Sequence, residues 1–188
     1  MALELNGTTG VSLVQDGVVT AADLASGAIT SAALPTGSVL QVFEGRLTTA
    51  VSNSTTNFAD TGLSVSITPT SASSKILVTV SINSISAGNG TGVHIRTRRG
   101  TTDIINNTES GGPNDAWFCG GGQTYTGQNR QRASGTITVL DEPATTSQIT
   151  YVTQFRCTDG SSTAYINRLA ISENNGSVST ITVMEIAG

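Results

Sequence analysis

The sequence predicts an all-β protein, an antiparallel β-sandwich or jelly roll over residues 38–188 preceded by an extended N-terminal arm over residues 1–37. Three observations lead there. The 188 residues include 30 Thr, 22 Ser and 21 Gly and carry only 12% charge, which reads as β-rich and ordered. Short apolar/polar alternations follow one another from about residue 38, each closed by a turn signal. The first forty residues instead carry a repeat of period ten.

In the arm, Asp16-Gly17-Val18-Val19-Thr20-Ala21-Ala22-Asp23-Leu24 aligns with Ser26-Gly27-Ala28-Ile29-Thr30-Ser31-Ala32-Ala33-Leu34. Gly37-Ser38-Val39-Leu40 begins a degenerate third copy. So short a unit cannot bury its own apolar residues and must pack against copies of itself or a partner. A Gly/Ala/Ser linker is the alternative, yet a linker has no need of Leu24, Ile29 and Leu34 at regular places. Leu3, Leu5, Val18, Val19, Leu24, Ile29 and Leu34 are therefore the candidate docking residues. Pro35-Thr36-Gly37 punctuates the boundary.

Beyond it, Leu63-Ser64-Val65-Ser66-Ile67 alternates strictly, and Ile76, Val78, Val80 and Ile82 alternate against Leu77, Thr79 and Ser81. Val93, Ile95 and Thr97 oppose His94, Arg96 and Arg98. Further strands are predicted over 135–140, 149–157, 164–171 and 178–186. Thr68-Pro69-Thr70, Ala87-Gly88-Asn89-Gly90, Glu142-Pro143, Asp159-Gly160 and Asn174-Asn175-Gly176 separate them. Seven or more such strands indicate a sandwich or jelly roll. The Gly-rich stretch Ser110 to Arg132 interrupts this rhythm, and loops longer than about 15 residues are usually functional. Its Trp117, Phe118 and Tyr125, with Arg130 and Arg132, form a candidate surface-recognition loop; the alternative is that Trp117 and Phe118 plug one end of the sandwich.

Composition excludes several functions. A net charge of -4 with one lysine suits no nucleic-acid binder, because phosphate neutralisation needs clustered cations. No segment approaches the roughly 20 apolar residues of a membrane span, and the first residues lack the pattern of a secretory signal. His94 sits on a polar strand face, and no serine lies in a nucleophile-elbow motif. Glu109, Asp115, Asp141 and Glu142 are the carboxylates available for glycan cleavage, but adjacent carboxylates at a turn point apart. Asp159-Gly160-Ser161 reads as a turn rather than a cation site, and no Cys/His set exists for zinc. Cys119 and Cys157 are expected to be free buried thiols or, within reach of one another, a pair. The pairs Arg96 with Arg98 and Arg130 with Arg132 are solvated faces, contacts for an anionic glycan, or partners for an acidic neighbour. The expectation is no catalytic residue, no cofactor and no metal.

Four segments resemble a recurrent bacteriophage virion module: Gly37-Ser38-Val39-Leu40-Gln41-Val42, Thr61 to Pro69, Ser73-Ser74-Lys75-Ile76-Leu77-Val78, and Ile181-Thr182-Val183-Met184-Glu185-Ile186-Ala187. The opening Met1 to Gly10 and the Gly-Ala-Ile-Thr type repeats are similar to the N-terminal arms of such fibre and decoration proteins. The resemblance implies a homotrimer of jelly-roll heads, similar to complement C1q or tumour-necrosis-factor heads. It implies a non-enzymatic structural protein on the virion surface, assembled in the host cytoplasm. A capsid decoration (cement or head-fibre) protein is the first expectation, with the arm gripping the major capsid protein. The alternative is a short tail-fibre tip, anchored by the arm to a tail or baseplate protein and recognising a host-surface glycan or protein.

Overall fold

The computed structural model describes residues 5–6, 10–11, 33–88, 91–105, 116–121, 132–159, 162–168 and 177–188. Met1–Pro35 and Thr36–Gly188 are separate compact units. In the first, β1 (Leu5–Asn6) and β2 (Gly10–Val11) form a short antiparallel ladder with Leu5 opposite Val11. Leu3, Val18, Val19, Leu24 and Ile29 lie outside the described residues.

The second unit is built from β3 (Val39–Leu47), β4 (Val51–Asn53), β5 (Ala59–Ile67), β6 (Lys75–Ala87), β7 (Gly92–Arg99), β8 (Thr102–Asp103), β9 (Phe118–Gly121), β10 (Ala133–Asp141), β11 (Ile149–Cys157), β12 (Ala164–Ile166) and β13 (Ser179–Ile186). All ladders are antiparallel, and there is no α-helix among the described residues. The predicted alternations are strands, except that the one expected over 164–171 ends at Ile166, and β6 runs further than its pattern announced, with both phases buried from Ser84 to Ala87.

Pairing is nested. β3 pairs β13, β5 pairs β11, β6 pairs β10, and β7 pairs β8 and β9. Two further ladders, β13 with β6 and β11 with β7, zip these ribbons into two sheets. The first sheet holds β3, β13, β6, β10, β12 and β4; the second holds β5, β11, β7, β8 and β9. Each long strand therefore lies in the other sheet from the long strand before it. Gly100, at φ +58, makes the tight turn between Arg99 and Thr102 that an L side chain would strain.

One core joins both sheets. Leu63, Val65 and Ile67 of β5, Val93 and Ile95 of β7, and Tyr151, Phe155 and Cys157 of β11 meet Ile76, Val78, Val80 and Ile82 of β6 and Ile181 and Val183 of β13. Burying each such aliphatic side chain contributes about 1.5–3 kcal/mol, so the period-two pattern sets which face of each strand turns inward.

Two buried polar groups tie strands together through hydrogen bonds. Asn167, at φ +60, bridges the break between β12 and β13: its Nδ2 donates to Leu47 O at 2.7 Å and its Oδ1 accepts from Ser179 Oγ at 2.7 Å. Glu185 is fully buried at the far end of β13. Its carboxylate accepts from Gln41 Nε2 at 2.5 Å, from Thr70 N at 2.7 Å and from Thr70 Oγ1 at 2.8 Å. Burial alone would push this carboxyl up; the hydrogen bonds outweigh it and hold the group below its ordinary value. Cys157 is a free buried thiol that donates to Asn53 O at 3.0 Å, and burial pushes its pKa up.

Candidate functional site

The inward phase of each strand dictates what its outward phase shows. On β6, Ile76, Val78, Val80 and Ile82 are buried, so Lys75, Leu77, Thr79 and Ser81 face outward. Register then assembles rows across the first sheet. Val42, Met184, Leu77 and Leu140 stand side by side, an apolar row spanning β3, β13, β6 and β10. Val39 and Ile186 lie opposite one another one step nearer the sheet end. The next rows are Glu44, Thr182, Thr79 and Thr138, then Arg46, Thr180, Ser81 and Thr136.

Val39 and Val42 are each 51% exposed and Leu140 48%. Their row is the most apolar part of an outer surface that is otherwise hydroxyl on β13, β6 and β10. Thr79 and Thr138 hydroxyls are 3.1 Å apart, and Thr136 Oγ1 donates to Ser81 Oγ at 3.2 Å. Charges sit at the margins and are paired: Arg46 with Glu44 on β3, and Lys75 with Glu142 at 2.7 Å. Across β13, β6 and β10 the three rows carry no charge to desolvate. A flat, neutral face of this kind can bury its apolar row against a partner without stranding an ion.

The opposite outer face, on the second sheet, is charged. Half-buried His94, Arg96 and Arg98 of β7 lie beside Arg156, Gln154 and Val152 of β11. Arg98 Nε is 3.1 Å from Asp103 Oδ1, and Phe58 packs under the Arg96 and Arg156 guanidiniums.

The candidate surface-recognition loop is described in part. Trp117 and Phe118 are half-buried, meet edge-on with ring centres 6.2 Å apart, and pack against the core. Trp117 Nε1 donates to Thr97 Oγ1 at 3.1 Å, and both rings close over Gly135. Arg132 is exposed, whereas Tyr125 and Arg130 lie outside the described residues. Leu34 is exposed.

The two candidate carboxylates among the described residues diverge. Asp141 takes Arg99 Nε at 2.7 Å and the Tyr151 hydroxyl at 2.7 Å, joining β10 to the second sheet. Burial, then the bond to Asp141, pushes the Tyr151 phenol far up. Glu142 turns outward to Lys75. Glu109 and Asp115 lie outside the described residues. Asp159 accepts from Thr91 Oγ1 at 2.6 Å, and no cluster of three metal-binding side chains exists among the described residues. No helix among them is long and apolar enough to cross a membrane. Sequence reasoning missed the neutral row and the Phe58 stack; the row's one signal was Leu77, Leu140 and Met184 in phase with hydroxyl residues.

No known protein family and no curated protein matches this sequence.

Proposed function

We propose that the protein is a non-enzymatic bacteriophage virion structural protein, a homotrimer of jelly-roll heads that decorates the capsid surface and is anchored by its N-terminal arm. The observation carrying the reading is the neutral row of Val42, Met184, Leu77 and Leu140 on the first sheet. Three copies turned about one axis bury such a face against one another and close the assembly. Nested ladders support the jelly-roll topology, since a jelly roll is one long antiparallel ribbon rolled upon itself. The virion location rests on the resemblance of the module and arm sequences.

Light scattering on the purified protein tests the trimer, and particle composition tests the location. A mass of three chains, with hundreds of copies per virion, is the expected result. A monomer overturns the assembly. A few dozen copies or fewer favours the second reading, a receptor-binding fibre tip, for which the cationic outer face of the second sheet speaks.

A further inference from the structure

The second sheet's outer face combines features that self-association does not use. Arg96 Cζ lies 4.0 Å and Arg156 Cζ 4.8 Å from the Phe58 ring centre. A guanidinium resting over a ring can still donate from its in-plane N–H groups, whose fork matches a carboxylate; Arg96 already gives its Nε to Gln154 Oε1 at 2.7 Å. The neighbouring charges are unevenly satisfied. Asp103 serves Arg98 at 3.1 Å and Arg96 at 3.7 Å, while Asp60 accepts from Gln154 Nε2 at 2.6 Å. Arg156 donates from Nη1 to the neutral carbonyl of Thr56 at 3.1 Å at the exposed end of the guanidinium, its Nε is buried, and no carboxylate among the described residues pairs with it.

We propose that this face binds an acidic polysaccharide, with one uronate carboxylate seated on Arg156 beside Phe58 and Arg96, and successive sugars running along β11 over Gln154 to Thr150. Hydroxyls suit the rest of that track: Ser66 Oγ and Thr150 Oγ1 are 2.8 Å apart on the same outer face. The seven residues from Thr150 to Arg156 span about 20 Å, the length of a few sugar units. Polyphosphates fit less well. Three guanidiniums here alternate with two carboxylates on a chain of net charge -4, which repels a dense run of anions but tolerates a spaced one. The inference is independent of the virion reading, because it concerns the sheet face remote from the proposed trimer contact and holds for a single copy.

Calorimetric titration of the full-length protein with oligogalacturonate, with dextran as the neutral control, tests it. Oligogalacturonate binding that weakens with added salt, no dextran binding, and a loss of at least about tenfold in R156Q are expected, since a bond between charged groups is at stake. F58L, which removes the stacking ring but no charge, is expected to weaken binding less than R156Q does. Thermal unfolding of both variants shows whether they fold; should R156Q fail to, R156K, which keeps the charge and loses the fork, takes its place. No oligogalacturonate binding by the wild type, equal binding of dextran, unchanged affinity in a folded R156Q, or binding of duplex DNA in preference to oligogalacturonate would each overturn the proposal.

Discussion

Replacing Glu185 tests the most exposed piece of reasoning about how this head is closed. Its carboxylate gathers Gln41 from β3 and both the amide and hydroxyl of Thr70 from the β5–β6 connection. Each hydrogen bond to a charged acceptor contributes about 1.5–3 kcal/mol, and each buried donor left unmet costs about 1–3 kcal/mol. Water entering the space left by Glu185→Ala will satisfy part of that, so the expected loss is about 3–5 kcal/mol. Glu185→Gln keeps the shape but turns an amide against a donor, for about 2 kcal/mol. The pH dependence separates charge from shape. Since the folded-state pKa is lowered, the charge stabilises fully above the unfolded value of about 4.3 and its contribution disappears as pH falls through the folded value. Urea unfolding of wild type and Glu185→Gln at pH 7 and near pH 3 should show a difference that is large at the first and shrinks at the second. An equal difference at both, or an alanine variant within about 1 kcal/mol of wild type, would refute the claim that a charged carboxylate holds this end together.

Other outcomes follow from the same structure. On the proposed trimer, Leu77→Asp with Leu140→Asp should leave the circular dichroism of the head intact while light scattering falls from three chains to one; an unchanged mass places the contact elsewhere. Gly45→Ala sets a Cβ 2.0 Å from Ser64 O, a backbone atom of β5, and should cost about 1–3 kcal/mol in urea unfolding as β3 is pushed away. Tyr151→Phe leaves Asp141 with Arg99 and should cost about 1–2 kcal/mol. Alkylation mapped by mass spectrometry should reach the Cys157 thiol only after denaturation, because it is buried and its thiolate disfavoured.

How much of this was legible in the sequence depends on the range of the forces involved. β5, β6, β7 and β11 could be read from alternation, because one face of each meets a shared core and the pattern is local. Strands β4, β8 and β9, of 3, 2 and 4 residues, are too short to carry a period and exist because a neighbour supplies hydrogen bonds. Nested pairing is a choice among distant partners, which no local window encodes. Glu185 was half visible: it shares the phase of Ser179, Ile181 and Val183, so alternation already placed a carboxylate inside, but its donors on Gln41 and Thr70 arrive through tertiary contact. Phe58 precedes β5 and belongs to no alternating run, so its place between two guanidiniums emerges only when β5, β7 and β11 lie side by side.

The nested ladders also impose an order in time. Gly45 pairs with Ile181, and Val80 has neighbours at both Ile137 and Ile181, so the longest strand of the head must wait for segments made much later. During synthesis β3 and the exposed edges of β6 are present before anything can cover them. Closure of such distant pairs is slow, on the order of milliseconds to seconds once all partners are present. A ribosome stalled before β13 would therefore hold an open ribbon with apolar rows on view, a substrate for chaperones or for a neighbouring nascent copy, and heads made on one message would meet first at the moment they become able to close.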